Sequence, residues 1–379
     1  MKIGIITIQR SPNYGACLQA FSLYTFLKEK GYECEMIDLL RPTHPEYIAS
    51  KKYKRYRTKT GFKSRLRNLY RWLFKHTAKQ NPLTEEAKRN FDQFNDKIKY
   101  SKRYYSIDEL YSNPPEYDIY ITGSDQLWNP TIGFCIEPYF LTFVNNGGRK
   151  ISYATSVGIS RLEDNEKADF SRWLLDYYSI SVREKSGCEI ISELVLQKVT
   201  QVADPSFLLE PAVWKGLMVS PKIEEPYILL FTLTYSPVLL EFCRRLKHGG
   251  KKKLVYLCQN QSSADVTDVD LAIDNAGPSE FLGYIHSANM VITDSFHGTV
   301  FSLILEADNV FAYVPSSKKR GKRITDLLNT YHLDDHVLRD GLLVNYDELQ
   351  CRPIDRESVN EMINIERKRS QEYLLEQLN

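Results

Sequence analysis

Short apolar runs alternate with helical patterns along most of the chain, and this alternation limits the possible folds more than any other feature. Residues 3–8 read as a strand, residues 14–30 as a helix and residues 34–39 as a second strand. Within the helical stretch apolar side chains recur at spacings of three and four, and Gly31 follows where a C-terminal glycine is favoured. A strand–helix–strand opening of this kind predicts a doubly wound parallel α/β sheet.

The same pattern begins again at Tyr227. Four apolar runs are separated there by helical stretches, and the runs are YILLFTL, KKLVYLC, NMVITD and a strand near 310–313. A chain of 379 residues is long enough for two such units. We therefore predict two Rossmann-like domains that face each other across a cleft. The predicted bounds are 1–205, 206–350 and a closing helix within 351–379.

A long stretch at 41–116 interrupts the first unit, and its apolar spacing predicts a helical insertion rather than strands. Within it residues 51–75 carry 11 Lys or Arg and no acidic residue, although the whole chain has a formal net charge of only +2. Such a segment fits an anionic membrane surface, a nucleic acid or plain solvent. Phe62, Leu66, Leu69 and Leu73 follow helical spacing, which favours the membrane surface over a nucleic acid.

Cysteine usage and the N-terminus indicate the compartment. The seven cysteines are odd in number and at least 15 positions apart, so neither a metal clip nor a disulfide framework is visible. The opening MKIGIITIQR reads as a strand rather than a signal peptide, and no apolar run approaches the ~18–20 residues of a membrane span. We expect a cytoplasmic protein, or one peripheral at the inner face of the cytoplasmic membrane, with no metal and no bound cofactor.

Polar segments follow several predicted strands, where parallel α/β sheets bind ligands. In residues 11–16, Gly15 lets the backbone approach a ligand and Asn13 can cap the next helix, with Tyr14 between them. Residues 122–129 place an aromatic face beside amide and carboxylate groups, a combination that suits a sugar or forms a structural turn. The candidates in that second segment are Ser124, Asp125, Gln126 and Trp128.

Two further segments suit an anion. Arg183 ends an apolar strand and can clamp a carboxylate or phosphate, or form a salt bridge with a nearby acid. His297 stands where a strand gives way to a buried-looking helix, and it can donate to an anion and transfer protons. The candidates in this fourth segment are Asp294, Ser295, Phe296, His297, Gly298 and Thr299. The amides of Gly298 and Thr299 are predicted to face the anion.

Taken in order, six segments of the chain resemble the polysaccharide pyruvyl transferase family over about residues 1–330. They are NYGACLQA, DIYITGSDQLWN, ISYATSVG, SVREKSG, VADPSFLL and TDSFHGTVFSLI. The resemblance implies a GT-B-like fold, phosphoenolpyruvate as donor, a sugar or lipid-linked oligosaccharide as acceptor and a pyruvate ketal as product. We expect the acceptor on the side of the first domain and the donor on the side of the second, and no nucleic-acid partner.

The resemblance also implies roles for single residues. His297 matches the histidine of the family's Arg-Leu-His-Gly motif, and Arg183 matches an arginine that contacts the donor. Ser295 and Phe296 replace the Arg-Leu pair, so one expected guanidinium is missing. We expect Lys322 and Arg323, in the basic stretch after the next strand, to replace it, although a solvated basic loop is an equal alternative.

The expected chemistry is transfer of a proton to the donor's methylene carbon, followed by attack of a sugar hydroxyl at C2. We expect His297 to be the general acid, with Asp125 or Asp294 orienting it or deprotonating the acceptor. The main rival is a GT-B glycosyltransferase that uses a nucleotide sugar, for which Glu306 could be one of two acidic residues. A non-catalytic glycan-binding protein is the third reading.

Overall fold

The computed structural model describes most of the chain. The described residues are 1–42, 44–50, 83–132, 135–233, 235–259, 266–315, 321–340 and 346–379.

The first half of the chain forms a seven-stranded sheet in which every strand pair is parallel. Its strands are β1 (Lys2–Ile6), β2 (Glu33–Leu39), β3 (Tyr100–Tyr104), β4 (Ile119–Thr122), β5 (Arg149–Thr155), β6 (Ser179–Val182) and β7 (Val199–Gln201). They lie in the order β3-β2-β1-β4-β5-β6-β7. The accompanying helices are α1 (Tyr14–Glu29), α2 (Glu85–Asn95), α3 (Ile107–Ser112), α4 (Asp164–Leu174) and α5 (Lys185–Ser192). We call this sheet and its helices the first lobe.

A six-stranded parallel sheet forms the core of the second lobe. Its strands are β8 (Tyr227–Thr232), β9 (Lys253–Cys258), β10 (Leu271–Ile273), β11 (Met290–Thr293), β12 (Val310–Tyr313) and β13 (Val337–Leu338). They lie in the order β10-β9-β8-β11-β12-β13. The helices of this half are α6 (Pro211–Leu217), α7 (Pro237–Gly250), α8 (Pro278–His286), α9 (Phe296–Ile304), α10 (Lys322–Thr330), α11 (Tyr346–Gln350) and α12 (Arg356–Leu378).

The predicted fold class, two parallel α/β units, is confirmed by these sheets. The predicted boundary at 205/206 falls between β7 and β8. The helix expected near the C-terminus is α12, which returns to the first lobe, where the Arg149 guanidinium donates to the Gln377 carbonyl at 2.9 Å. Among the described residues no helix is long and apolar enough to cross a membrane.

The prediction of a purely helical insertion at 41–116 is wrong for residues 100–104. These residues form β3, which pairs in parallel with β2 at the edge of the first sheet. The strand reads YSKRY, and only Tyr104 is buried. Because an edge strand of this kind is largely solvated, it lacks the apolar run that marks a central strand. The helices α2 and α3 also lie in this stretch, and the basic segment 51–75 lies outside the described residues.

Each sheet changes its direction of strand order at one place, between β1 and β4 in the first lobe and between β8 and β11 in the second. At such a point the loops that follow neighbouring strands diverge and leave a crevice at the carboxyl ends of the strands. The loops after β1 and β4 carry the first two polar segments, and the loop after β11 carries the histidine segment. The topology therefore brings these segments to one region.

An aromatic contact joins the lobes beside this region. The ring of Tyr14, at the start of α1, stacks on Phe91 of α2 at 5.3 Å and on Phe281 of α8 at 4.7 Å between centroids. Its hydroxyl donates to the Ala276 carbonyl of the second lobe at 3.2 Å. A second bond crosses from Gln259, whose side-chain amide donates to the Pro12 carbonyl at 3.2 Å. The start of α1 is thus fixed against the second lobe.

Candidate functional site

A cleft between the lobes has walls from both of them and a volume of about 940 Å³ including its open mouth. The first lobe contributes Asn13, Asp125 and Gln126. The second lobe contributes Leu233, Asp294, Ser295, Phe296, His297, Tyr313, Val314, Pro315, Gly321, Arg323 and Ile324. Eight of the residues proposed from sequence, all polar or charged except Phe296, therefore lie together around one cavity.

The histidine segment begins α9, and Ser295 is the N-cap of that helix. The Ser295 hydroxyl accepts from the Gly298 amide at 3.2 Å, and the Ser295 carbonyl accepts from the Thr299 amide at 3.0 Å. Both amides are used within the helix, so the prediction that they bind an anion is wrong. The amides of Phe296 and His297, the first two residues of α9, have no acceptor within the helix and remain directed towards its N-terminal end.

His297 faces a buried carboxylate that the sequence reasoning did not assign. Nε2 of its imidazole lies 3.6 Å from Oδ2 of Asp204, which has no exposed side-chain surface. This distance is longer than a hydrogen bond but within the range of an ion pair. Asp204 precedes a short 3₁₀ turn at the end of the first sheet and accepts from the Ser206 amide at 3.0 Å.

Arg183 holds the same carboxylate from the other side. Its Nη1 donates to Oδ2 of Asp204 at 2.6 Å, and the hydroxyl of Ser124 donates to that oxygen at 3.0 Å. Both side chains of the ion pair are buried, with 3% of the arginine and none of the aspartate exposed. Charge-assisted bonds of this geometry are the strong ones, and the missing solvent leaves them unscreened.

The electrostatic balance keeps Asp204 ionised. Burial by itself raises the pKa of a carboxyl group, but His297 and Arg183 more than offset this and hold the pKa of Asp204 well below its usual range. For Arg183 burial has the opposite effect and lowers the pKa of the guanidinium, but the carboxylates of Asp204 and Glu184 raise it by more, so the net change is an increase. The pair therefore carries both charges across the whole physiological pH range.

The structure does not place Arg183 in the wall of the cleft. The Phe296 ring lies 4.3 Å from the guanidinium carbon and separates it from the cavity. Behind Phe296 a smaller pocket is lined by Arg183, Glu184 and Asp204 among others. The salt bridge that the sequence left as an alternative is present, and a direct contact between Arg183 and a donor in the cleft would require Phe296 to move.

The segment 122–129 divides into cleft residues and core residues. Asp125 and Gln126 line the cavity, whereas Ser124 is buried against Asp204. Trp128 is fully buried, stacks on Phe140 at 5.3 Å and donates from its ring nitrogen to the Tyr139 carbonyl. The prediction that Trp128 offers an aromatic face to a sugar is wrong, because the apolar surroundings of the loop take up the ring.

Asp125 is the carboxylate that the first lobe presents to the cleft. Its backbone has φ of 76°, a left-handed conformation that is uncommon for residues other than glycine and occurs often at functional sites. The Ser156 amide donates to its carbonyl at 2.9 Å, and its own carboxylate accepts from the Gln126 amide at 2.7 Å. Asp294 of the second lobe also lines the cleft, with its carboxylate accepting from the Leu233 amide.

The segment 11–16 behaves differently at each position. Asn13 caps α1 as predicted, since its side-chain oxygen accepts from the Ala16 amide at 3.0 Å, and it also lines the cleft. Tyr14 is taken up in the contact between the lobes. Gly15 is predicted to let the backbone approach a ligand, but the group it approaches is the imidazole of His297.

The two basic residues proposed after β12 differ in their access to the cleft. Arg323, in the first turn of α10, lines both the cleft and the pocket behind Phe296, with its guanidinium carbon 5.7 Å from the Phe296 ring. Its neighbour Lys322 is exposed and lines neither cavity. Of the two residues expected to replace the missing arginine, Arg323 is therefore the one with access to the cleft.

Two buried acids, Asp204 and Glu184, were missed in the reading of the sequence. Oε1 of Glu184 accepts from the Ser156 hydroxyl and from the Gly158 amide, both at 2.8 Å, so this carboxylate joins the loops after β5 and β6. Both acids lie in segments that carry the family resemblance, SVREKSG and VADPSFLL. Asp204 follows a strand and precedes Pro205, a local sequence typical of a turn, and Glu184 stands next to Arg183, so neither residue signals by itself a buried ionic role.

Two other features bear on the chemistry. Within the described ranges no group of three or more His, Cys, Asp or Glu side chains could hold a metal ion. Glu306, the acid considered for a nucleotide-sugar site, forms an ion pair with Lys215 at 2.9 Å and does not line the cleft.

Solved structures with the same two-lobed arrangement define the class of the fold. The Escherichia coli structure described as trehalose-6-phosphate bound with UDP-2-fluoro glucose is 11% identical, with a TM-score of 0.53 over 100% of this chain and 99% of that one. The Listeria monocytogenes structure assigned as a UDP-N-acetylglucosamine 2-epimerase is 11% identical, with a TM-score of 0.50 over 96% of this chain and 90% of that one. At such identity the likeness shows a GT-B-like fold only. No curated protein gives a significant match.

A family model gives the more specific result. The model for the polysaccharide pyruvyl transferases matches residues 13–308. This range contains every strand of the first sheet except β1, and it also contains the histidine segment of the second lobe. The chain belongs to the polysaccharide pyruvyl transferase family, and it is an enzyme of that family.

Proposed function

We propose that the protein transfers the pyruvyl group of phosphoenolpyruvate to hydroxyls of a surface polysaccharide or its lipid-linked precursor, forming a pyruvate ketal in the cleft between the lobes. The observation that carries the proposal is the position of His297, which lines the cleft while its Nε2 faces the buried carboxylate of Asp204. A proton-transfer residue must both contact the substrate and keep a fixed orientation, and this arrangement provides both.

The anionic donor has matching groups in the second lobe. Arg323 can reach the cleft with its guanidinium, and the first two amides of α9 point towards the same region. Together they can hold a carboxylate and a phosphate without the arginine that Ser295 replaces. In this proposal Arg183 acts through Asp204, which it keeps ionised and in place, and not through direct contact with the donor.

His297 acts as the acid towards the donor. Since Nε2 faces Asp204, Nδ1 is the ring nitrogen left for the substrate. A proton passes from Nδ1 to the methylene carbon of phosphoenolpyruvate, which becomes the methyl group, and the positive charge develops at C2. A sugar hydroxyl attacks C2 and gives up its proton.

The ketal is completed when the second hydroxyl displaces phosphate from C2. The bond between C2 and the phosphate oxygen breaks, inorganic phosphate leaves, and the second hydroxyl forms the remaining C–O bond. Of the two protons released by the hydroxyls, one restores His297 and the other leaves with phosphate. Asp125, in the opposite wall of the cleft, is the carboxylate we assign to deprotonating the acceptor.

The test is release of inorganic phosphate from phosphoenolpyruvate in the presence of a panel of nitrophenyl and lipid-linked sugars. His297→Asn should lower kcat by about 10²–10⁴-fold, the usual contribution of a general acid. His286→Asn is the matched control, because His286 bonds to the Leu305 carbonyl and does not line the cleft. Turnover of His297→Asn within tenfold of the wild type would exclude the proton-transfer role. No phosphate release with any acceptor, alongside activity with a nucleotide sugar, would favour a glycosyltransferase instead.

We also propose a cytoplasmic location and peripheral contact with an anionic membrane, where a lipid-linked acceptor would lie. This contact rests on the charge and apolar spacing of residues 51–75, which lie outside the described residues.

A further inference from the structure

Gly15 makes the closest approach of the first lobe to His297. A Cβ atom added to Gly15 would lie 2.1 Å from Nδ1, 2.3 Å from Cγ and 2.6 Å from Cβ of that histidine. Non-bonded carbon atoms attract at about 3.5–4.0 Å and repel strongly at these distances. The site therefore tolerates no side chain at position 15 while the imidazole stays where it is.

The backbone itself does not demand glycine at this position. Gly15 is the second residue of α1 and is not among the residues with positive φ. In a helix alanine is favoured over glycine by about 1 kcal/mol, so local propensity would select a larger residue. The requirement for glycine comes from the histidine in the other lobe.

The contact completes the support of the imidazole ring. Asp204 lies at Nε2, and the bare backbone of Gly15 packs against the side of the ring near Nδ1 and Cγ. The Gly15 backbone is held in turn by the neighbouring Tyr14, which stacks on Phe281 of the second lobe and bonds to Ala276. The ring is therefore constrained by both lobes at once.

We propose that Gly15 is a positioning residue for His297: by lacking a side chain, it lets α1 pack against the imidazole and holds Nε2 towards Asp204 and Nδ1 towards the substrate. This inference rests on the proposed function in assigning proton transfer to His297. It also makes the approach of the two lobes a condition for an active ring orientation, because the supporting backbone belongs to the first lobe and the ring to the second.

The direct test is Gly15→Ala. The added methyl group must push the imidazole away from Asp204, and a misplacement of about 1 Å can lower the rate about 10²-fold. We expect kcat to fall by about this factor with the KM for phosphoenolpyruvate within threefold, since Arg323 and the α9 amides are not displaced. The pH profile of kcat should also change, because the ring loses its fixed distance to Asp204. Gly216→Ala is the control, since a Cβ at Gly216 in α6 meets no atom within 4 Å.

A structural readout separates this inference from the proposed function. In ¹⁵N-histidine spectra the imidazole signal that His297→Asn removes should shift in Gly15→Ala and stay in place in Gly216→Ala. This result does not depend on knowing the substrate, so it stands even if pyruvyl transfer is not found. An unshifted imidazole signal, or a kcat within threefold of the wild type, would overturn the positioning role.

A second background keeps the test decisive if Gly15→Ala alone does not fold. In His297→Gly the ring is absent, so both glycine and alanine fit at position 15. Free imidazole should then restore part of the turnover in the single variant His297→Gly. It should fail to do so in the double variant that also carries Gly15→Ala, because the added methyl group occupies the place of the ring. Equal rescue of the single and the double variant would refute the inference.

Discussion

Replacing Asp204 by asparagine should destabilise the protein more than any other change of a single charge discussed above. The substitution keeps the shape of the side chain, and its oxygen can still accept from the Ser206 amide. It removes the negative charge that lies 2.6 Å from the Arg183 guanidinium, in a place where only 3% of the arginine side chain meets solvent. A buried cation would lose its principal partner.

The size of the effect follows from burial. Removing one partner of a buried ion pair costs about 3–5 kcal/mol, because the remaining charge is left without solvent or counter-charge. Glu184 lies 3.8 Å from Arg183 and can compensate only in part, which places the expected loss near the lower end of that range. The matched control is Asp176→Asn. The Asp176 carboxylate is 75% exposed, so breaking its ion pair with Lys150 should cost about 0–1 kcal/mol.

The stability lost in Asp204→Asn should also depend on pH. Because the folded protein holds the pKa of Asp204 below its unfolded value, the ionised carboxylate stabilises the fold fully above that unfolded value. This stabilisation is lost as pH falls through the folded pKa. The difference in stability between the wild type and Asp204→Asn should therefore be fully present at pH 7 and shrink as the pH falls below about 4.

Urea unfolding followed by fluorescence at pH 7, 5 and 3.5 measures both predictions. The double variant Arg183→Met with Asp204→Asn provides a further arm, since removing both charges should restore part of the stability that either single change removes. A loss below about 1 kcal/mol at pH 7, or a difference that does not change with pH, would show that Arg183 is compensated by other groups and would refute this account of the site.

Two other changes test the division between cleft and core. Arg323→Met should raise the KM for phosphoenolpyruvate by about 10–100-fold, which is the equivalent of one hydrogen bond to a charged group. Lys322→Met changes an exposed position and should leave this KM within twofold. Equal effects of the two changes in initial-rate measurements would contradict the assignment of Arg323 to the donor. Trp128→Ala should lower the free energy of unfolding by about 3–5 kcal/mol without changing the KM for the acceptor, because the ring is wholly buried. A rise in that KM without a loss of stability would show instead that Trp128 contacts the sugar.

The sequence predicted the cleft residues well where the signal was local. Asn13, Asp125 and His297 each follow a central strand of a parallel sheet, so the strand pattern was enough to place them at its carboxyl edge. Prediction failed where the outcome depended on a distant neighbour. Trp128 could have faced a sugar or the core, and only the packing of Phe140 against it decided between the two.

The edge strand β3 and the acid Asp204 show the same limit. A solvated strand such as β3 is held by its hydrogen bonds to β2 and carries little apolar pattern of its own. Asp204 has the local sequence of an ordinary turn, and its importance comes from Arg183 and His297, which approach it from two other segments. Neither contact is written in the residues next to it.

The sequence by itself determined the two parallel sheets, the family and the segments that meet at the cleft, because strand and helix periodicity and short motifs are local properties of the chain. The tertiary structure alone decided how His297 is held, with Asp204 at Nε2 and the Gly15 backbone packed against the side of the ring. These partners come from the first lobe and from the end of its sheet, and their distances follow from how two separately folded lobes pack together. A contact of that kind depends on packing geometry, which no periodicity in the sequence encodes.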